Sequence, residues 1–183
     1  VANMGTVIYM VPLSLSIATM TLVSQSIGAN KPERAEEIGW SSVLFTTILC
    51  VTIGFAVWMF RIQLLDLYDP PAEVKAFSIP LFLFIAFYQV FDALQVTAAF
   101  ILRAYRIAFW PMVIYAGSLW GVGLGGGYLM GFNVFGNTPA FLQGANGFWA
   151  GNSLSLGLAA CFLLYLFRRT AERYEKTHPP LKV

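Results

Sequence analysis

Long runs of residues without charge are the feature of this chain that most limits its fold. No Asp, Glu, Lys or Arg occurs in residues 1–30, 38–60 or 107–167. A helix that crosses the hydrocarbon core of a membrane needs about 20 apolar residues, and these runs reach that length. Charged residues make up 11% of the chain, whereas soluble domains carry about a quarter. The apolar residues come in unbroken blocks, unlike the alternating strands of a membrane barrel. The sequence therefore predicts an all-α, polytopic transmembrane helix bundle.

Glycine, proline and polar segments divide the chain into five predicted helices. They cover about residues 4–29, 32–60, 72–106, 109–132 and 147–166. Pro12 and Pro80 lie inside the first and third helices, where proline predicts a bend. Residues 61–71 are predicted to form a turn or an interfacial stretch. The prediction is thus a bundle over residues 1–167, followed by a solvated cytoplasmic tail over 168–183.

The basic residues predict the orientation of the bundle. If successive helices alternate in direction, one side of the membrane receives nine basic residues and the other receives Arg61 and Lys75. The nine are Lys31, Arg34, Arg103, Arg106, Arg168, Arg169, Arg173, Lys176 and Lys182. Cytoplasmic loops are enriched in Lys and Arg. We therefore expect a multi-pass protein of the inner (plasma) membrane with a cytoplasmic C-terminus.

Several classes of function are not predicted. The net charge of +2 is too small to indicate a nucleic-acid partner. Cys50 and Cys161 lie in separate apolar runs, so a disulfide framework is not expected. His178 has no Cys or His neighbour with which to bind a metal. No nucleophile stands near a base and no phosphate-binding loop is present, so we do not expect an enzyme. Because the chain begins with Val1 and has no signal peptide, we expect it to be the C-terminal part of a longer protein.

Small residues recur at four-residue spacing in the last two predicted helices. Such rows let helix backbones approach closely in lipid. They are Gly117, Gly121 and Gly125; Gly123, Gly127 and Gly131; and Gly147, Gly151, Ser155 and Ala159. The rows predict close helix packing, and they are equally compatible with a helix that slides or bends.

Asp92 is the one carboxylate deep inside a predicted membrane helix. Sixteen uncharged residues precede it and ten follow it. At about 100° per residue, Tyr88, Gln89 and Gln95 share its face of the helix. Asp92 is about 16 Å from Arg103 at 1.5 Å per residue, which places it near the middle of a core about 30 Å thick. An ionised group there costs roughly 2.5–3.5 kcal/mol on insertion scales. We therefore expect Asp92 to face the protein interior or an aqueous cavity.

Two interpretations of this carboxylate stay open. Neighbouring hydroxyls and amides could satisfy it structurally, or it could bind a proton or a cation. Hydroxyls of the first helix leave a similar choice, because they could bond to carbonyls of their own helix or line the cavity that Asp92 faces. The polar residues of that helix are Ser14, Ser16, Thr19, Thr21, Ser24, Gln25 and Ser26.

Five segments, in order, resemble a known family. "VPLSLSIATMTLVSQSIGANKPERA", "YQVFDALQ", "LRAYR", "LWGVGLGGGYLMGF" and "GANGFWAG" resemble helices eight to twelve of the twelve-helix multidrug and toxin extrusion (MATE) transporters, in their NorM-like branch. The resemblance covers essentially the whole chain. It implies five helices of a six-helix lobe in a two-lobed antiporter that expels organic cations and drugs in exchange for Na⁺ or H⁺.

The resemblance also implies roles for individual residues. Asp92 would take part in cation coupling, and Tyr88 would belong to the same Na⁺ or H⁺ site. Gln89 and Gln95 are expected to support this site or face the substrate because of their place on the same helix face, not because of the resemblance. No cofactor other than the coupling ion is implied. The implied partners are membrane lipid, small organic cations and the N-terminal lobe of the same protein, which this chain lacks together with the seventh helix and its partner glutamate.

Two residues depart from the family pattern. Ala104 stands where members often carry Gly, and Gly125 stands where they often carry Pro. The second change removes a residue that bends helices, so whether the predicted helix at 109–132 is bent stays open. Two other functions remain as alternatives. One is a lipid-linked sugar flippase of the same superfamily, which we would expect to have more cationic residues in its cavity. The other is a non-transport membrane scaffold, which would need no carboxylate at mid-membrane.

Overall fold

The structure is a computed structural model that describes residues 2–66, 72–134, 139 and 143–177. Helices and turns account for the regular structure of these residues, with no strand among them. The helices are α1 (Ala2–Gly28), α2 (Pro32–Met59), α3 (Arg61–Asp66), α4 (Ala72–Ala104), α5 (Phe109–Gly117), α6 (Gly127–Gly131) and α7 (Ala145–Thr177), and a π-helical segment (Ser118–Gly126) joins α5 to α6. The predicted all-α fold is confirmed.

Four of these helices are long and apolar enough to cross a membrane. They are α1 within Ile8–Gly28, α2, α4 within Ile85–Ala104, and α7. The predicted helix at 109–132 is present as a composite, because α5, the π-helical segment and α6 follow one another without a break. The π-helical segment contains Gly121, Gly123, Gly125 and Gly126. Since glycine has no side chain to hold the backbone in one register, a glycine-rich helix accommodates the wider π turns easily.

The last helix differs most from its prediction. It runs from Ala145 to Thr177, so the described part of the predicted tail at 168–183 is helical. Phe167 and Ala171, one turn apart, are buried against the bundle. Arg168 donates a hydrogen bond of 3.0 Å to Glu172 on the outer face. The tail continues the helix because its residues alternate between a packed face and a charged face with helical spacing.

Smaller differences concern the ends of the third predicted helix. Residues 61–66 form the short helix α3, while residues 67–71 lie outside the described residues. Helix α4 passes through Pro80 without interruption and ends at Ala104. Arg106 follows with φ at +61°, a left-handed conformation that ends a helix. The predicted end at 106 is thus two residues late.

Helix α4 forms the centre of the bundle and packs against α1, α2 and α7. Ser16 of α1 and Thr97 of α4 share a hydrogen bond of 3.0 Å. Gly54 of α2 lies against Ala86 of α4. The rings of Tyr105 and Phe167 are 6.1 Å apart near the far ends of α4 and α7. These contacts place α4 between three other helices.

The two glycine rows of residues 117–131 have different surroundings. A Cβ atom on Gly151 of α7 would lie 2.6 Å from the Gly127 nitrogen, and one on Gly131 would lie 2.8 Å from the Phe148 ring. A Cβ atom on Gly117 or Gly121 would meet no described atom within 4 Å. Close packing is therefore confirmed for the row Gly123, Gly127 and Gly131, whereas Gly117 and Gly121 of the other row are open.

Candidate functional site

Asp92 opens onto a cavity of about 280 Å³ formed by α1, α4 and α5. Helix α4 contributes one face along three turns, and α1 contributes one tyrosine. The opposite side is formed by α5 and by Ala108, which precedes it. The described lining residues are Tyr9, Asp92, Gln95, Val96, Ala99, Phe100, Arg103, Ala108, Pro111, Met112 and Tyr115. The cavity is therefore a cleft between helices that runs along α4 from Asp92 to Arg103.

The carboxylate of Asp92 is nearly buried. Its residue is 8% exposed, and neighbouring Gln95 is 7% exposed. Within the described part of the chain, no salt bridge or hydrogen bond reaches this carboxylate. A buried charge without a partner is unfavourable, so the group gains from a proton or a cation in the cavity. The structure thus gives no support to a carboxylate satisfied by neighbouring hydroxyls and amides.

Helical periodicity explains which residues of α4 share the cavity. Gln95 and Val96 follow Asp92 by three and four positions, and Ala99 and Arg103 continue the same row at intervals of about one turn. Residues spaced in this way lie on one face of a helix. Ala99 leaves room beside the helix, because its side chain is small. The row places a carboxylate and a guanidinium at opposite ends of one cavity.

Two aromatic residues on other helices complete the cavity wall. Tyr9 comes from α1 and Tyr115 from α5. Aromatic faces attract cations within about 6 Å, and a phenol oxygen can accept a hydrogen bond or coordinate an ion. Neither residue could be predicted as part of the site, because nothing in the sequence indicates that α1 and α5 approach the same face of α4. The basic character of Arg103 indicates only a position near one side of the membrane.

The structure divides the four predicted site residues into two pairs. Asp92 and Gln95 line the cavity, whereas Tyr88 and Gln89 are not among its described lining residues. The Tyr88 ring makes an edge contact with Trp149 at 5.6 Å and 82°. Gln89 is buried, and its Nε2 has no hydrogen-bond partner among the described residues. Roles for Tyr88 and Gln89 in ion coupling therefore stay predictions.

Five of the α1 hydroxyl groups form hydrogen bonds within their own helix. Ser14, Ser16, Thr19, Thr21 and Ser26 each donate to a carbonyl one turn earlier in their own helix. Since the Ser16 proton goes to the Pro12 carbonyl, Thr97 is the donor in the bond that joins α1 to α4. None of these α1 residues is among the described residues that line the Asp92 cavity. For these residues the structure therefore favours hydrogen bonds within α1 over a role in lining the Asp92 cavity.

Asp92 is the one carboxylate among the described residues that line the cavity. Among the described residues, no group of three or more His, Cys, Asp and Glu side chains lies together. The other oxygen-bearing side chains of the described lining, Gln95, Tyr9 and Tyr115, are neutral.

Comparison with known proteins gives consistent matches along the chain. A family model described as MatE matches residues 1–129. The "Probable multidrug resistance protein NorM" of Aromatoleum aromaticum is 35% identical over 173 residues, which cover 94% of this chain and 37% of the relative. The "Multidrug resistance protein PmpM" of Pseudomonas aeruginosa is 32% identical, with 98% of this chain and 37% of the relative covered. The chain thus spans little more than a third of these curated relatives.

A solved structure matches the fold of the chain. The crystal structure of the eukaryotic MATE transporter AtDTX14 superposes with a TM-score of 0.79, over 96% of this chain and 39% of that chain. The sequence identity is 18%, so this similarity concerns the arrangement of the helices. It agrees with the family match, and the resemblance noted in the sequence is confirmed.

Proposed function

We propose, from the premise that this chain belongs to the MatE family of membrane proteins, that it forms part of a cation-coupled antiporter exporting organic cations and drugs. Its relatives are named as multidrug resistance proteins, which agrees with export rather than with an enzymatic reaction. The chain spans 37% of those relatives, so transport by the whole protein also requires the rest of its length. The N-terminal lobe, small organic cations and membrane lipid are the partners in this proposal.

The observation that carries the proposal is a nearly buried, unpaired carboxylate in a cavity between membrane helices. Asp92 binds either the coupling Na⁺ or H⁺ or an organic cation, because two positive charges on one carboxylate repel each other. Gln95 lines the same cavity three positions after Asp92 and supports the bound ion. Tyr9 and Tyr115 offer aromatic faces to an organic cation. Tyr88, one turn before Asp92, assists with its hydroxyl oxygen when the coupling ion is bound.

The two alternative functions fit the cavity less well. A flippase for lipid-linked sugars would have several cationic residues around its anionic substrate, whereas Arg103 is the one basic residue among the described lining residues. A scaffold would have no use for a carboxylate at this depth, because ionisable groups inside membranes are costly. The carboxylate therefore favours cation transport.

A binding titration tests this proposal directly. In the full-length protein that contains this chain, raising Na⁺ or lowering the pH should weaken the binding of a monovalent organic cation. Asp92→Asn should abolish that competition, and Tyr88→Phe should weaken it without removing it. Glu172→Gln is a matched control, since this carboxylate is exposed and its surface ion pair with Arg168 contributes little. Full competition in Asp92→Asn would place the coupling site elsewhere.

The orientation of the protein is a second part of the proposal. We propose that it lies in the inner membrane with Thr177 in the cytoplasm and the loop around Asn137 outside, as the nine basic residues on one side indicate. Residue 137 is outside the described residues, so this part rests on charge alone. Single cysteines are placed at each position in a protein without Cys50 and Cys161. In intact cells, an impermeant thiol reagent should label the cysteine at position 137 and leave the one at position 177 unlabelled. Labelling at position 177 would contradict the orientation.

A further inference from the structure

Arg103 has a position in the Asp92 cavity that the proposed exchange of cations does not use. It lies about three turns, or about 16 Å, beyond Asp92 on the same face of α4. The side chain is exposed at the edge of the cavity, and its guanidinium carbon lies 4.8 Å from the centre of the Phe100 ring. Phe100 also lines the cavity. The ring therefore holds the positive charge over the end of the cavity that Ala108 and Pro111 border.

A fixed positive charge at the end of a cavity acts against cations that enter there. The interaction of two unit charges at 6 Å is several times the thermal energy when the effective dielectric constant is about 20. A guanidinium stays charged at every physiological pH. Basic residues that exclude cations by this means are known in membrane pores. Among the described lining residues, the one carboxylate is Asp92 at the other end of the cavity. No lining carboxylate therefore neutralises the charge of Arg103 at its own end.

We propose that Arg103 is a charge barrier that excludes cations from the Arg103 end of the cavity, so that cations reach Asp92 from elsewhere. Its role as a selector of the route of cation entry rests on the proposed function of Asp92. The barrier itself is a property of the cavity and can be measured without transport. Arg106 is a matched control residue, because it is basic and exposed near the same end of α4 but is not among the described lining residues.

The experiment measures how fast charged thiol reagents reach the cavity. A cysteine replaces Ala99, which lies between Asp92 and Arg103, in full-length protein with Cys50→Ala and Cys161→Ala. Membrane vesicles receive a trimethylammonium or a sulfonate methanethiosulfonate reagent on the side of the membrane where Arg103 lies. A neutral methyl reagent corrects for changes in access. Val96→Cys provides a second probe position, because valine and cysteine have similar volumes.

Arg103→Gln should raise the ratio of cationic to anionic reaction rates by about tenfold, as expected when one nearby charge is removed. Arg103→Lys should leave the ratio within about twofold of its original value, and so should Arg106→Gln. Phe100→Leu should raise the ratio by a smaller factor, since it releases the guanidinium without removing it. A ratio unchanged by Arg103→Gln at both probe positions, or an equal rise in Arg106→Gln, would overturn the proposal.

The same measurement separates this inference from the proposed function. The effect of Arg103→Gln should persist when Asp92 is replaced by Asn, because the barrier does not depend on the carboxylate. If the effect persists while Asp92→Asn leaves ion competition intact, the barrier stands and the assignment of the coupling site to Asp92 fails. Loss of the effect in the Asp92→Asn background would mean that Arg103 acts by way of the carboxylate, and this inference would then fail by itself.

Discussion

Helices α4 and α2 are both long and apolar, yet they hold opposite places in the bundle. In the apolar window of α4, 61% of the residues are buried, whereas the corresponding value for α2 is 22%. The helix with the more apolar window is α2, and it is the one that exposes Leu44, Ile48 and Phe55. Helix α4 buries the polar residues Gln89, Asp92, Gln95 and Thr97.

This difference shows what organises a helix bundle in lipid. Lipid is as apolar as leucine, so apolar side chains gain little by turning inward. Polar groups do gain, because the interior offers them partners or an aqueous cavity. Small residues also turn inward, since they let helices approach. Apolar length therefore identifies a membrane helix, whereas its polar and small residues determine how central it is.

The largest expected effect is a loss of stability when a buried isoleucine of α4 is shortened, compared with an exposed isoleucine of α2. Ile101 of α4 is 0% exposed and Ile48 of α2 is 58% exposed. Ile101→Ala should lower the free energy of unfolding by about 2–4 kcal/mol, because it leaves a cavity in the core. Ile48→Ala should lower it by less than about 0.5 kcal/mol. Unfolding titrations of both variants in mixed micelles check this contrast, and equal losses would contradict it.

The sequence predicts that α4 has a buried face, but it identifies only some of the residues that line the cavity. Asp92 alone among apolar neighbours indicated a buried face, and Gln95 followed from helical spacing. Tyr9 and Tyr115 could not be found in this way, because they reach the cavity from helices far apart in sequence. The continuation of α7 to Thr177 was missed for another reason. Its charged residues suggested a tail, although the spacing of Phe167 and Ala171 fits a helix face.

The glycine rows offer a second test of the contrast between the interior and the outer surface. Gly151→Leu would force a side chain against the backbone of Gly127, and overpacking of this kind costs about 1–3 kcal/mol. Gly121→Leu is the matched control, because its Cβ would meet no described atom within 4 Å. Thermal denaturation of the two variants should separate them clearly. A stable Gly151→Leu protein would show that α7 is not packed as described.

The smallest expected effect concerns the hydroxyls of α1. Ser16→Ala removes the hydrogen bond to Thr97, and such bonds between membrane helices average about 0.6 kcal/mol. Ser14→Ala removes only a bond within α1 on its exposed side and should have almost no effect. A double-mutant cycle with Thr97→Val isolates the coupling between the two side chains. A coupling energy near zero would mean that the Ser16–Thr97 pair does not help to hold α1 against α4.

The extension of α7 has a consequence for bilayers of different thickness. At 1.5 Å per residue, its 33 residues span about 50 Å, well beyond a hydrocarbon core of about 30 Å. The Arg169 guanidinium carbon lies 4.9 Å from the centre of the Tyr165 ring, and tyrosine and arginine are typical anchors at the membrane interface. Beyond this pair, the helix is charged outside and packed inside, so it tolerates either lipid headgroups or water. Hydrophobic mismatch can therefore be absorbed by a shift of the headgroup boundary along the end of α7, while the depth of Asp92 within the bundle stays fixed.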